Sequence, residues 1–500
     1  MLSKDENRKR ECGILLSITS LPSDYGIGTL GKEAFHFVDF LKNSHQNYWQ
    51  ILPLCPIGKG NSPYSSEGSF AGEILLIDIE ELILCGLLKN EDINVFSFPK
   101  NTDYDAVRKF KLPLLKKAAE NFNTENADFR HFKRENAFWL DDFCLFSAIK
   151  EFKNTAEFYN WDDGLKYRST EEIENFKTAH HKEISFFEIT QYLFYSQYKA
   201  LKNYANENGI KIIGDIPFYV SLNSADVWSN PNVFCLNRDM TPRLVAGVPP
   251  DIFSSDGQLW GNPIYDWEYL RLGEYSWWKK RLLHMARLYD VIRIDHFRAF
   301  ADYYTIKYGA KDATEGEWIE GEGMTFWNSV KPLLGNTEII AEDLGGETPE
   351  VETLVKDSGF PNMKVLQFAF DSDLDDPFLP DNMTENCVCY TGTHDNDTSL
   401  GWLEKATEKE KLMFSELVPK DESGSDVLSL ISFGMKSKSR LVIIPLQDYL
   451  ELGSDCRMNT PGTEKHNWEW RFEKGDLSEN LSRTVIRLSA QRFKFFLQNT

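Results

Sequence analysis

Eight short apolar runs, separated by stretches with helical periodicity, constrain the fold of this chain more than any other feature of its sequence. The runs begin near residues 13, 48, 210, 291, 337, 363, 388 and 440. Apolar strands that alternate with amphipathic helices are typical of a parallel sheet, because crossover helices cover its faces. Eight of them favour an α/β fold in which the sheet closes into a (β/α)8 TIM barrel.

Two segments interrupt the alternation. Strand signals stop between residues 73 and 185, where charged stretches have helical periodicity. We predict a helical insertion subdomain there, after the second strand, with residues 1–72 and 186–500 forming the barrel. The irregular segment from Pro217 to about Trp267 is rich in Gly, Pro, Asn and Ser. A loop of that length in a compact protein is usually functional, and we expect it to lie over the C-terminal face of the barrel.

Four of the apolar runs end in a carboxylate. These residues are Asp215, Asp295, Glu342 and Asp395. Parallel barrel strands end at one rim, so the four carboxylates are expected to meet in one pocket on the C-terminal face. Basic residues accompany them in the sequence, namely Arg293, His296, Arg298 and His394.

Such a pocket suits acid–base chemistry. A guanidinium can keep one carboxylate ionised, while acidic neighbours raise the pKa of another. Cleavage of a glycosidic bond by a retaining mechanism requires this combination of an ionised nucleophile and a protonated acid. A metal site is the competing interpretation, but the interleaved arginines would repel a cation. The sequence therefore predicts no metal and no cofactor.

Net charge and composition exclude one class of partner. The formal charge is −22 and the pI is about 5.0, so nucleic acid would be repelled in the absence of a basic stripe. A neutral substrate carries no such penalty. Aromatic residues make up 14% of the chain, which is enough to pack a core and leave rings for stacking on sugars.

The cysteines and the N-terminus indicate a cytoplasmic protein. The eight cysteines are scattered singly except for Cys387 and Cys389, whose spacing fits neither a zinc ribbon nor a redox motif. We expect reduced, buried thiols. The charged residues 1–10 are not followed by the apolar segment of a secretion signal. No apolar run approaches the ~20 residues that span a bilayer, so no membrane partner is expected.

The residues around three of the carboxylates resemble a known family. Arg293-Ile-Asp-His-Phe-Arg298, Ile340-Ala-Glu-Asp-Leu-Gly345 and Thr391-Gly-Thr-His-Asp-Asn-Asp397 are similar to the three catalytic regions of the 4-α-glucanotransferases, also called amylomaltases or disproportionating enzymes, which are relatives of the α-amylase superfamily. Further matches lie in the same order along nearly the whole chain, at residues 61–64, 214–220, 247–251, 258–263 and 457–462.

The resemblance implies a role for each catalytic carboxylate. Asp295 would be the nucleophile, Glu342 the general acid/base, and Asp395 the residue that binds sugar hydroxyls and stabilises the transition state. Arg293 would position and ionise Asp295, and His394 would hydrogen-bond the sugar. The other substrate-binding residues implied by the family are Tyr64, Asp215, Asp251, Gln258, Trp260 and Asn467.

The implied reaction is the retaining transfer of α-1,4-glucan segments from a donor to the 4-hydroxyl of an acceptor glucan or of glucose. An α-glucan hydrolase shares the same carboxylates, and a glucan-binding scaffold with a dead site belongs to another class, so both remain alternatives. The chain departs from the family at His466, where a Gly is common, and at Glu73, where an Asn is usual. The first departure bears on the sugar contact expected from Asn467.

Overall fold

Eight parallel strands close into a barrel in the computed structural model, which describes residues 10–94, 96–154, 157–250, 255–345 and 348–492. The strands of the chain are β1 (Glu11–Leu15), β2 (Tyr48–Gln50), β3 (Lys211–Ile216), β4 (Leu244–Val248), β5 (Gln258–Pro263), β6 (Val291–Ile294), β7 (Asp302–Lys307), β8 (Gly316–Glu320), β9 (Glu338–Ala341), β10 (Asn362–Val365), β11 (Cys387–Tyr390) and β12 (Leu441–Pro445). Around the barrel the strand order is β1-β12-β11-β10-β9-β6-β3-β2. The prediction of a (β/α)8 barrel is therefore confirmed.

Helices cover the barrel and fill the connections between its strands. None of those in the described part of the chain is long and apolar enough to cross a membrane. They are α1 (Lys32–Asn43), α2 (Ile79–Leu84), α3 (Tyr104–Glu120), α4 (Ala127–Phe152), α5 (Asp163–Lys166), α6 (Thr170–Ala179), α7 (His181–Glu207), α8 (Ala225–Ser229), α9 (Trp267–Leu272), α10 (Ser276–Leu288), α11 (Gly323–Val330), α12 (Pro349–Ser358), α13 (Ser399–Lys405), α14 (Glu408–Leu417), α15 (Asp426–Met435), α16 (Leu446–Tyr449) and α17 (Glu479–Ser489).

The register of the barrel strands places the polar strand ends side by side. Asp215 on β3 pairs with Arg293 on β6, and Ile294 on β6 pairs with Ala341 on β9. Asp295 and Glu342 directly follow the last pair, so their Cα atoms leave adjacent strands at the same height. Strand β6 is buried along its length and β9 from Ile339 onward, as expected for a parallel sheet covered by helices.

A four-stranded antiparallel sheet accompanies the barrel, in the order β5-β4-β7-β8. The sequence did not predict it, and the interpretation of residues 217–267 as one irregular loop was wrong, since the segment contains β4, β5 and α8. Gly247 and Gly261 interrupt the apolar alternation in β4 and β5, and β8 is mostly exposed. A strand without a clean buried face leaves little trace in the hydrophobic pattern.

Helices α2 to α6 occupy the segment between β2 and the start of α7, and α4 packs along α7. Helix α7, which leads from this segment into β3, begins at His181. The last described helix is α17 (Glu479–Ser489), and residues 493–500 lie outside the described part of the chain.

Candidate active site

Arg293 connects two of the strand-end carboxylates. It is 2% exposed, and its Nη1 donates to Asp215 Oδ2 at 2.5 Å while its Nη2 lies 3.0 Å from Asp295 Oδ1. Residues 293 and 295 are two apart on an extended segment, so both side chains point to the same side, into the barrel. Asp215 is 1% exposed, and one of its oxygens also accepts a hydrogen bond from the Tyr64 hydroxyl at 2.9 Å. The buried cation is thus neutralised by two acids.

Backbone donors hold the Glu342 carboxylate. The N–H of His296 donates to Oε2 at 2.6 Å, and the N–H of Leu344 donates to Oε1 at 2.8 Å. His296 directly follows Asp295 and adopts a left-handed conformation, with φ of 53°. The turn after β6 therefore presents the nucleophile candidate and, one residue later, a donor to the acid/base candidate. Asp295 and Glu342 are side by side for this reason.

Asp395 is held by a loop from the far end of the chain. Asn459 Nδ2 donates to its Oδ1 at 2.6 Å, and His394 Nε2 lies 3.2 Å from its Oδ2. The Arg457 guanidinium donates to the Asp395 carbonyl and, at 2.6 Å, to the Asn459 carbonyl. The sequence singled out residues 457–462 as a matching motif but assigned them no role. Polar residues within a Pro- and Gly-containing loop were the available signal.

Burial raises the pKa of Asp295 to about 7. Arg293 lowers this pKa, whereas the neighbouring charges of Glu342, Asp215 and Asp395 raise it. Like charges in one cleft cannot all ionise without cost, so a proton is taken up near neutral pH. The four strand-end carboxylates thus form one electrostatically coupled group.

Asp395 and His394 are paired, and the pKa of this carboxyl shifts in the opposite direction from that of Asp295. Burial opposes ionisation of Asp395, but His394, Asn459 and Arg293 together hold the pKa of this carboxyl well below its usual range. Burial likewise opposes charging of His394, and Asp395 outweighs it and raises the pKa of the imidazole. Burial lowers the pKa of His296 to about 4, so this ring is neutral at pH 7.

Aromatic rings form one wall of the pocket. Tyr64 stacks on His394 with the ring centroids 5.2 Å apart and the planes 18° apart. Trp468 contacts both rings, at 5.7 and 5.9 Å. Burial and the charge of Asp215 raise the pKa of the Tyr64 phenol. The hydroxyl therefore stays protonated and donates a hydrogen bond to Asp215. The sequence did not predict Trp468 as a site residue.

Trp260 and Gln258 lie on β5, at the edge of the antiparallel sheet. The Trp260 ring meets His296 edge-on with 4.8 Å between centroids, and it is 38% exposed. Its Nε1 donates to Gln258 Oε1 at 3.1 Å. An exposed indole held at the site by its neighbours is available to stack on a sugar ring.

The Asn467 side chain is hydrogen-bonded within its own loop. It is 5% exposed, its Oδ1 accepts from Thr460 N at 2.9 Å, and its Nδ2 donates to Thr463 O at 2.9 Å. These bonds close the loop that carries Asn459. Glu73 is also engaged by the backbone, since it accepts from the N–H groups of Ile57 and Leu75. The predicted site residue Asp251 lies outside the described residues.

In residues 10–94, 96–154, 157–250, 255–345 and 348–492, no cluster of three or more His, Cys, Asp and Glu side chains is arranged to hold a metal ion. The donors that surround the carboxylates are a guanidinium, an imidazole, an amide and backbone N–H groups. The arrangement can move protons and stabilise positive charge that develops on a neutral substrate.

Comparison with known proteins gives one consistent result. A family model described as 4-alpha-glucanotransferase matches residues 16–478. The chain is 43% identical over 480 residues to a 4-alpha-glucanotransferase of Clostridium butyricum, with 95% of this chain and 99% of the relative covered. It is 42% identical over 482 residues to that of Thermus thermophilus, with 94% and 96% covered. Among solved structures, an amylomaltase from Streptococcus agalactiae in complex with acarbose superposes with a TM-score of 0.94 at 39% identity, with 97% and 99% covered.

Proposed function

Because the chain belongs to the 4-alpha-glucanotransferase family, we propose that Asp295, Glu342 and Asp395 carry out its reaction in the roles that the sequence implied. The protein is an enzyme, and it transfers segments of α-1,4-glucans and maltooligosaccharides to an acceptor glucan or to glucose. One observation carries the assignment of the reacting pair: the residue after Asp295 donates its backbone N–H to the Glu342 carboxylate at 2.6 Å.

The reaction begins with one proton on the Asp295–Glu342 pair. The first step requires Asp295 ionised and the proton on Glu342, and the Arg293 guanidinium acts in this direction because it lowers the pKa of Asp295. Glu342 then protonates the leaving glycosidic oxygen while Asp295 attacks the anomeric carbon, which gives a covalent glycosyl-enzyme. Glu342, now a base, takes the proton of the acceptor 4-hydroxyl as that oxygen attacks the same carbon. A new α-1,4 bond forms and Asp295 is released.

Asp395 contributes a fixed negative charge. Its lowered pKa keeps it ionised throughout the cycle, so it accepts hydrogen bonds from sugar hydroxyls and stabilises the positive charge of an oxocarbenium-like transition state. His394, Tyr64, Trp260 and Gln258 line the pocket around the reacting sugar.

Asp215 and Asn467 act on the substrate indirectly in this proposal. The Asp215 carboxylate is buried beneath Arg293 and Tyr64 and positions both of them. Asn467 shapes the loop that brings Asn459 to Asp395. Asp251 is proposed to bind substrate from the long segment between β4 and β5, on the family resemblance alone.

The retaining mechanism sets a distance that a substrate complex can test. The Asp295 and Glu342 carboxyl groups are expected to be about 5–5.5 Å apart, whereas an inverting enzyme separates them by about 6.5–9.5 Å to admit a water molecule. A separation near 9 Å in the complex would exclude the covalent intermediate.

The function is tested by incubating the purified protein with maltotriose and following both the product ladder and the total reducing ends. Transfer gives glucose and longer maltooligosaccharides at constant reducing ends, since each broken bond is remade. Rising reducing ends without longer products would identify a hydrolase, and binding without products would identify a scaffold. Asp295→Asn and Glu342→Gln are expected to abolish turnover with unchanged circular dichroism.

We also propose that the protein is cytoplasmic. All eight cysteines are free, and seven are buried or partly buried, as is usual in a reducing compartment. We assign residues 1–72 and 186–500 to the catalytic barrel and 73–185 to a helical insertion subdomain. Selective proteolysis between the two units is the corresponding test.

A further inference from the structure

A cavity of about 410 Å³ lies where the helices of the 73–185 segment meet the barrel. One side is formed by α4 and the opposite side by α8, α9 and the first turn of α10. The end of the loop that carries Tyr64 completes it, through Gly68, Phe70 and Ala71. The volume falls in the range of about 300–1,000 Å³ that is usual for small-ligand sites.

Aromatic side chains line the cavity at two depths. Phe70, Trp139 and Trp277 are at most 7% exposed and form its deeper part. Phe138 and Tyr269 are 41% and 48% exposed and lie at its entrance, on opposite sides. Flat apolar rings around an opening suit the apolar faces of pyranose rings.

Two polar groups on these rings have no hydrogen-bond partner in the part of the chain that the structure describes. The Trp277 Nε1–H is buried and finds no acceptor within the described residues. The Tyr269 hydroxyl, which is at the entrance, makes no hydrogen bond to any residue that the structure describes. Bound water or the hydroxyls of a ligand would satisfy such groups.

The charged groups of the cavity favour a neutral ligand. Asp142 is paired with Arg168, and Lys280 lies on the opposite wall. Asn230 adds an amide oxygen that can accept, because both of its N–H donors bond within the protein. The lining holds two acids and one base, but Asp142 is paired with Arg168 and Asp226 accepts from the Ser69 N–H. The walls therefore offer hydrogen bonds to hydroxyl groups without a cluster of like charges that would select an ion.

The cavity is separate from the candidate active site but lies on the same face of the barrel. Among the described residues, those that line it include none of the catalytic carboxylates and none of the substrate-binding candidates that the structure describes. Helix α10 leads into β6, so its first turn is at the C-terminal end of the barrel, where the carboxylates also lie. A flexible polymer could therefore occupy both places at once.

We propose that this cavity is a second, non-catalytic binding site for α-1,4-glucan chains, with Tyr269 and Phe138 as its stacking platforms; the proposal rests on the transferase function above. It gives the 73–185 segment a role, since α4 supplies one wall. A chain held at this site has a raised effective concentration at the catalytic cleft. Long glucans gain from the tether, whereas maltotriose is too short to reach both sites.

Tyr269→Ala tests this in the full-length enzyme, with amylose and maltotriose compared as substrates. Loss of one stacking ring is expected to raise the KM for amylose roughly three- to tenfold. The kcat and KM for maltotriose should be unchanged. Tyr308→Ala is the matched control, because this tyrosine is 43% exposed and does not line the cavity; it should alter neither substrate.

Binding without turnover gives a second readout. Glu342→Gln should be retarded in gels that contain amylose, and the Glu342→Gln/Tyr269→Ala double variant should be retarded less. Equal retardation of the two, or an unchanged KM for amylose in Tyr269→Ala, would overturn the second site. If the wild-type enzyme fails to disproportionate maltotriose, the transferase function fails instead, and the gel comparison still reports on the cavity.

Discussion

Asn459 Nδ2 lies 2.6 Å from Asp395 Oδ1, although the two residues belong to different connections of the barrel. The amide therefore orients the carboxylate and keeps it ionised. Removing a hydrogen bond to a charged group costs about 1.5–3 kcal/mol. Asn459→Ala is thus expected to lower kcat/KM for maltotriose roughly 10- to 100-fold, with a small change in Tm.

Asn362→Ala is the matched control for that prediction. Asn362 donates to Asp343 at 2.9 Å, which is a similar bond to a carboxylate outside the reacting set. If both variants lose activity equally, Asn459 has only a general structural role. If the acidic limb of the pH–kcat profile shifts in Asn459→Ala but not in Asn362→Ala, Asn459 acts through the ionisation of Asp395.

Asp215→Asn is expected to reduce kcat far more than it changes KM, because the buried side chain cannot reach a sugar and acts through Arg293 and Tyr64. It should also destabilise the protein by about 3–5 kcal/mol, since a buried guanidinium loses one of its two acids. Steady-state kinetics and denaturation measure the two effects. A large rise in KM at constant kcat would restore direct substrate binding.

Glu338→Gln provides the comparison for stability. Glu338 pairs with Arg440, but its side chain is 41% exposed. A surface pair contributes at most about 1 kcal/mol, so this variant should remain close to the wild type in both activity and Tm.

The pH dependence of kcat/KM should reflect the raised pKa of Asp295. The nucleophile must be ionised, so activity is lost as pH falls through about 7, well above the usual aspartate range near 4. Initial rates at low maltotriose concentration between pH 4 and 9 measure this limb. A midpoint near 4 would mean that the coupled carboxylates do not raise this pKa.

The same pKa shift predicts a stability difference. A carboxyl with a raised folded-state pKa ionises at a cost to the fold, and this cost appears as pH rises from about 4 to about 7. Asp295→Asn removes it, so the variant should be more stable than the wild type at pH 8, by up to about 4 kcal/mol because one pKa unit corresponds to about 1.4 kcal/mol, and close to it near pH 4. Thermal unfolding at the two pH values decides the sign.

His466→Gly should stabilise the protein slightly. His466 has φ of 60°, a left-handed conformation that costs a side-chain-bearing residue about 1–2 kcal/mol, and its side chain is 89% exposed. Glycine loses more backbone entropy on folding than histidine does, which offsets about 0.5–1 kcal/mol of this stabilisation. A net rise of roughly 0.5 kcal/mol is expected. Glu404→Gly, in the exposed face of α13, should instead lower stability by about 1 kcal/mol.

The sequence could predict the parts of the molecule where local pattern and burial agree. Strands β6 and β9 are short apolar runs inside the protein, and each ends at a carboxylate that the barrel places on one rim. The antiparallel sheet left no such pattern. Strand β8 is exposed on most of its length, so its side chains need not alternate.

The sequence by itself determined the barrel, the family and the candidate catalytic residues Asp295, Glu342 and Asp395. Buried strands and short motifs consist of residues that are neighbours in the chain, so they can be recognised without the tertiary structure. Only the tertiary structure decided that Asp215 lies beneath Arg293, that Asn459 holds Asp395, and that α4 closes a cavity against α10. These relationships join residues far apart in the chain. Their distances follow from how the strands and helices pack, which local sequence does not encode.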